Sequence, residues 1–362
     1  VNCRVEIFKK SGYSSHSTKD EDSVKLKNSL TSVRINKSRS TLTSEANISV
    51  QFQGLPLAEY QGGNEGIVDN FALIKVYVDE QVEFTGVIKS YNYDEESKIM
   101  ELNCHDMSYR LLNATDEVIE FTNTTAVGVI QSLVTKVDLT FIRKGGTDYS
   151  ISKLKIEEGT VYLDVIQSLL ETMKASLRAT KNGEILLEEQ YPDYTEGAGD
   201  VNHFDWTYSD YKNTSSTNAG RDASLMRNIL KIKCDKNYDK FEDPSMTSYL
   251  NGEKWYDTVE NSFANTQVKR RAVAGYKFLD MWRNSTPLTT LPALGNKNID
   301  LSQVVKLLRE DTLPGYYLVV GVDTDISADN YQDSLQLQGM RDKRTIYEIP
   351  VLLSSGVEKE DS

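Results

Sequence analysis

The sequence is poor in the residues from which most catalytic and redox sites are built. It has three histidines, three cysteines and seven prolines among 362 residues. The cysteines, Cys3, Cys104 and Cys234, are odd in number and widely spaced, and no CxxC occurs. That spacing supports neither a zinc ribbon nor a thiol redox motif. Buried, reduced thiols in a protein made in the cytoplasm are the expectation. HExxH, GxSxG and P-loop patterns are missing, which removes three common enzyme signatures. No apolar run approaches the ~18 residues of a membrane span. Val1–Lys10 has no long apolar core and does not read as a signal peptide. Positive charge is scarce too, with a net charge of −13 and a pI near 4.9. Lys9-Lys10 and Lys269-Arg270-Arg271 are short basic stretches that read as solvated faces. A phosphate-gripping surface needs more, so no sequence-specific nucleic-acid binding is expected.

What is present is globular and β-rich. Hydrophobic residues make up 39% and charged residues 26%, outside the disordered range. The 20 tyrosines suit strands. A chain of this length predicts two or three domains. In the first third, Ile48, Val50 and Phe52 alternate with polar residues, as do Met100, Leu102 and Cys104. Phe71–Val78 and Val82–Ile88 flank a turn at Asp79-Glu80-Gln81. Period-two alternation buries one face and wets the other. Ser11–Asp22 and Gly62–Gly66 read as long loops.

The middle changes period. Ala126, Val127, Ile130, Leu133, Val134 and Val137 form one helix face, and Tyr162, Ile166, Leu169, Met173 and Leu177 another. Thr160 is the expected N-cap of the second helix. Leu177–Thr180, the Lys181-Asn182-Gly183 turn and Glu184–Glu188 read as a hairpin. Asn213–Asn218 is a polar joint, followed by a strand at Ile229–Cys234. Val259–Trp282 reads as partly helical, and Ile299–Arg309 as a short helix stopped by Pro314-Gly315. Tyr316–Val322 and Ser334–Gln338 return to strands, and the segment from Ser354 is a charged, fraying tail.

Chemistry-bearing candidates all have a plainer reading. His16 lies in a loop, His203 sits among Asn202, Phe204 and Asp205, and His105 follows Cys104 on a strand, where neighbours face opposite ways. Asp94-Glu95-Glu96, Glu157-Glu158 and Glu188-Glu189 could in principle supply the two acids of a glycosidase. In so acidic a chain they read as turns and solvated faces. Asp323, Asp325 and Asp329 suggest calcium, but counting from Asp323 puts Ala328 and Ser334 at the sixth and twelfth loop positions. Gly62, Gly63 and Gly66 lack the strand–helix setting of a phosphate loop. No catalytic, cofactor or metal residue is therefore nominated, and no cofactor is expected.

Two internal echoes are present. Gly86–Cys104 aligns without gaps on Gly321–Gly339, placing Gly86 on Gly321, Met100 on Leu335 and Leu102 on Leu337. Each copy reads as a strand, a polar connection and a second strand, which suggests two related β domains. The weaker echo is VIQSLV at Val129–Val134 against VIQSLL at Val165–Leu170.

These motifs carry a resemblance. Glu101–Asn113 (ELNCHDMSYRLLN), Ala126–Val134, Glu158–Met173 and Gly315–Gly339, in that order, resemble the baseplate hub family of contractile tails. This is the late control protein D group of prophages and R-type bacteriocins. The resemblance implies a β-rich α+β chain with two tail-tube-like β-barrel domains and an inserted smaller α/β domain. The expected bounds are 1–112 for the first barrel, 113–224 for the α/β domain, and 225–250 with 310–350 for the second barrel. Residues 251–309 read as a further, partly helical insertion and 351–362 as the tail. The resemblance further implies a non-enzymatic homotrimer adapting a sixfold tail tube to a threefold central spike. Its partners would be tube, spike and other baseplate proteins, with no membrane anchor. It would be made in the bacterial cytoplasm and assembled into a phage or bacteriocin particle. The alternatives are a tail-associated cell-wall glycosidase and a carbohydrate-binding tail module.

Overall fold

The computed structural model describes residues 2–8, 10–11, 15–16, 23–26, 30–39, 41–51, 68, 70–190, 203–207, 218–220, 224–285, 288–295, 299–308, 315–327, 330–339 and 349–358. The chain is β-rich α+β, as the sequence pattern implies. Among the described residues no sheet closes into a barrel.

The first β unit contains β1 (Cys3–Phe8), β4 (Ser23–Leu26), β5 (Leu30–Ser38), β6 (Glu45–Gln51), β7 (Leu73–Val78), β8 (Gln81–Asp94) and β9 (Ile99–Asp106). A minor ladder joins β2 (Lys10–Ser11) to β3 (Ser15–His16). Alternation does what the sequence implies: Val33 and Ile35, Ala46, Ile48 and Val50, and Met100, Leu102 and Cys104 share one core with Val5, Ile7 and Leu26.

Next comes an α/β unit. It contains β10 (Ile119–Thr125), α1 (Ala126–Lys136), β11 (Phe141–Arg143), β12 (Ser150–Ile156), α2 (Tyr162–Met173), β13 (Ala175–Ala179) and β14 (Ile185–Glu189). Both helices lay their apolar stripes on one core through Ile130, Leu133, Ile166 and Leu169. Thr125 caps α1 by accepting from the Gly128 amide. At α2 the N-cap is Val161, without a side-chain bond, rather than Thr160.

The second β unit contains β15 (His203–Thr207), β16 (Asn218–Gly220), β20 (Leu288–Leu294), β21 (Val304–Leu308), β22 (Gly315–Ser327) and β23 (Tyr331–Gly339). Inserted within it is a small unit. This holds β17 (Ile229–Cys234), β18 (Asn237–Glu242), α3 (Pro244–Tyr249), β19 (Tyr256–Glu260) and α4 (Gln267–Asn284), with β24 (Val351–Val357) as its last strand. Its sheet order is β19-β17-β18-β24. Phe241, Ile232 and Phe278 fill the space between that sheet and α4.

Several expected boundaries move. Residues 225–250 build the small unit, because period-two alternation identifies a strand but not the sheet it joins. The 251–309 segment divides, with β19 and α4 in the small unit and β20 and β21 in the second β unit. β15 and β16, expected within the 113–224 insertion, pair with β21 and β20. Among the described residues 299–308, the helix expected at Ile299–Arg309 does not form. Val304 and Val305 are β-branched, stiff in a helix, and pair with β22 instead. The tail expected from 351 begins as β24, since Val351-Leu352-Leu353 is a strand former and charge starts only at Glu358. The loops at Gly62–Gly66 and nearly all of Asn213–Asn218 lie outside the described residues.

The two β units repeat one strand permutation. The first runs β5-β6-β9-β8-β7-β1 across its sheet and the second β16-β20-β23-β22-β21-β15. With β4, which extends the first sheet beyond β1, set aside, the strands counted in chain order within each unit both read second, third, sixth, fifth, fourth, first. The end pairs differ, β1–β7 being antiparallel and β15–β21 parallel. Each long strand carries a register shift at the same place, between Ile88 and Ser90 on β8 and between Val319 and Gly321 on β22. Superposing these shifts sets Ile88 on Val319, Leu102 on Leu335 and Cys104 on Leu337, all buried. The same superposition sets Ile48 on Leu291 and Ile74 on Val305.

The gapless sequence alignment is therefore out of register: Gly86 falls on Tyr317, not on Gly321. The β22–β23 hairpin is two residues longer at its tip than β8–β9, so no gapless alignment fits both strands.

Candidate functional site

The units meet at two seams. The first is a backbone seam. β22 continues the sheet of the first unit by pairing antiparallel with β5, from Gly321 opposite Ser38 to Ser327 opposite Ser32. Asn36 Nδ2 donates to Asp323 Oδ1 across it.

The second seam is a buried ion network. The alternation of Val33 and Ile35 on β5 continues to Lys37, so a lysine occupies an inward position and is 7% exposed. Its Nζ lies 3.4 Å from Glu83 Oε1 on β8 and 3.7 Å from Asp300 Oδ1. Lys181, in the turn between β13 and β14, approaches Glu83 Oε1 at 2.6 Å. Arg178 on β13 bridges Asp300 Oδ2 at 2.8 Å and Glu188 Oε1 at 3.0 Å. Three cations and three carboxylates thus tie the first β unit, the α/β unit and the loop leading to β21. Burial pushes the Asp300 carboxyl up, but Lys37, Arg178 and Lys181 together hold it below the usual carboxylate range. Burial, with Lys37 nearby, lowers the Lys181 ammonium. Thr85 Oγ1 donates to the Lys181 carbonyl at 2.8 Å, fixing the turn against β8.

Beside this network a cleft of about 390 Å³ opens between α2, β13 and α4. Arg39 crosses its floor, donating to Ser176 Oγ at 3.1 Å and to the Gln190 carbonyl at 2.6 Å. Lys277 pairs with Glu171 at its rim at 2.8 Å. Burial raises the Asp280 carboxyl to about 6, with Arg39 and Arg283 pulling the other way.

The sequence-level candidates do not converge on any of these places. Asp94 accepts from the Glu96 and Ser97 amides, closing the β8–β9 turn. Glu157 pairs with Lys155 at the surface. Glu188 belongs to the ion network, and Glu189 Oε1 accepts from the Gly146 amide at 2.9 Å. His105 Nε2 lies 3.4 Å from Glu45, on the face of β9 opposite buried Cys104. Burial pushes the Cys104 thiol up, and no reactive dyad forms. His16 and His203 lie on β3 and β15. Asp323 is engaged at the seam, and Asp329 lies outside the described residues. Among the described residues no cluster of three histidine, cysteine or acidic groups could hold a metal. No described helix is long and apolar enough to cross a membrane. What sequence reasoning missed was the ion network. Its one signal was Lys37 at an inward position of a strand.

Solved structures share this arrangement. The prophage MuSo2 43 kDa tail protein of Shewanella oneidensis aligns over 93% of this chain and 96% of its own, with a TM-score of 0.66 at 12% identity. A tail protein of Neisseria meningitidis MC58 gives 0.68 at 13% identity, with the same coverage of 93% and 96%. The chain has the fold of phage tail proteins. The E. coli c3393 protein is a type VI secretion component described as structurally similar to the T4 tail proteins gp27 and gp5. It matches at a TM-score of 0.53 and 10% identity, over 87% of this chain and 74% of that one. A YQBQ-like family model matches residues 41–184, from just before β6 to the turn that precedes β14. No curated protein matches the sequence. The likeness to tail proteins read from the sequence is thus matched over nearly the whole chain.

Proposed function

We propose that this chain is the structural hub of a contractile-tail baseplate, phage or R-type bacteriocin, acting as a homotrimer. The observation that carries the reading is the repeated strand permutation joined through β22 and β5. One chain supplies two near-equivalent tube-like units, so three chains supply six. A ring of six similar units with true threefold symmetry can meet a sixfold tube on one side and a threefold spike on the other. Each unit would then act as one wall of a tube-like barrel ring. The gp27 and gp5 likeness described for the c3393 protein supports tube and spike as the partners. The work is geometric, and the chemistry-bearing side chains serve the fold. Synthesis in the bacterial cytoplasm and assembly into the particle follow from this role.

Light scattering on the purified chain tests it. One chain is 40.9 kDa, so a trimer weighs about 123 kDa. A trimer with threefold rings in negative stain is expected. A strictly monomeric chain that stays monomeric with a tail spike present would overturn the reading.

A further inference from the structure

The internal seam specifies how copies join. β22 uses one edge for β23 along its length. Its other edge is shared, first by β21 from Gly315 to Leu318 and then by β5 from Gly321 to Ser327. β8, its counterpart, uses one edge for β9 and gives the start of the other to β7, up to Val87. From Lys89 to Asn92 that second edge has no strand neighbour among the described residues. Its residues 90–92 correspond to Gly321–Asp323, the first part of the β5-binding half of β22.

The counterpart of β5 is β16. β5 is flanked by β6 and β22, whereas β16 pairs with β20 and ends the sheet among the described residues. One chain therefore carries both halves of a second seam, unjoined and at separate places. Open strand edges present unpaired amide and carbonyl groups and are templates for another chain.

Resting on the hub reading above, we propose that β8 of one copy pairs antiparallel with β16 of the next, repeating between chains the β22–β5 joint made within each. Superposing the register shifts and the β6 and β20 ladders carries Asp323 onto Asn92 and Asn36 onto Gly220. The register between copies then sets Asn92 opposite Gly220. The joint is heterologous, since each copy offers one edge and accepts the other, and it closes into a ring only if the rotation closes.

The test is a disulfide across that register. Residues directly opposite in an antiparallel pair have Cα atoms about 4.5–5.5 Å apart, within the roughly 4.4–6.8 Å a disulfide spans. The Asn92→Cys, Gly220→Cys double variant is oxidised mildly and run on a non-reducing denaturing gel. Light scattering is measured on the same sample. Covalent species of two and three chains are expected. They should be missing from each single variant and from the off-register Lys89→Cys, Gly220→Cys pair. A trimer in solution without cross-linked chains overturns the strand pairing and leaves the hub reading standing. A monomer in solution counts against the hub reading itself, and the pairing falls with it.

Discussion

At the scale of single residues, the ion network sets the cost of change at the joint. Removing Glu83 leaves Lys37 and Lys181 close together and buried, with only Asp300 to offset Lys37. An uncompensated buried charge costs about 3–5 kcal/mol. Glu83→Ala should lower the urea midpoint accordingly. The exposed Lys136–Glu117 pair is the contrast, and its loss should leave the midpoint unchanged. A wild-type midpoint for Glu83→Ala would mean the network is solvated. Asp280 gives a pH signature. Its folded pKa of about 6 lies above the ordinary 3.8, so the unfolded chain releases this proton first as pH rises. Across that window the unfolded state binds fewer protons and stability falls with rising pH. Asp300 acts in the opposite sense. Its depressed pKa contributes stability present above pH 3.8 and lost as pH falls through the folded value. Asp280→Asn should therefore remove stability loss between pH 4 and 6, read from urea midpoints at several pH values. An unchanged slope would show that the carboxyl titrates normally.

At the scale of elements, one turn docks the α/β unit on the first β unit. Gly183 has φ of +88°, and a Cβ there would meet Met107 Cγ at 2.9 Å and Thr85 Cγ2 at 3.0 Å. Gly183→Ala combines backbone strain with a clash and should cost about 1–3 kcal/mol. Thermal unfolding measures it, and a neutral result would mean the turn shifts freely. This turn was legible from Asn182-Gly183 alone, and so were both helices of the α/β unit, because periodicity is local, although the expected Thr160 cap was not. Sheet membership was not legible. β17 and β23 alternate in the same way, yet one joins the small unit and the other the second β unit. The choice rests on partners tens of residues away, which period-two alternation does not encode. The duplication was sensed in the right strands but in the wrong register, because the β22–β23 tip is longer. Of the seams, only Lys37 left a trace in the sequence, as a charge at a core position. Glu83, Lys181 and Asp300 converge on it from separate strands and loops.

At the scale of the whole molecule, β22, β5, β6, β9 and the distal half of β8 bury one face in two cores and leave the other polar. On that second face Arg34 stands with Glu45, Glu101, Asp94, Asp323 and Asp325, between Asn36, Asn47, Asn92, Asn103 and Gln336. Carboxylates outnumber the cation, in keeping with the net charge of −13. If three copies close into the proposed ring with this face inward, nucleic acid passing through would meet repulsion and neutral hydrogen-bonding groups. Duplex DNA gains affinity mainly by trading counterions for lysine and arginine, and this face offers little to trade. The assembled trimer should therefore leave labelled duplex DNA unbound in fluorescence anisotropy at about 50 mM salt, where such binding is strongest. Glu101→Lys with Asp325→Lys alters the face without touching either core, since both side chains alternate with buried neighbours. That double variant, multiplied over three chains, should bind DNA and lose it steeply as salt rises. Tight, salt-dependent binding by the wild-type trimer would mean that a basic surface, not this face, lines the channel.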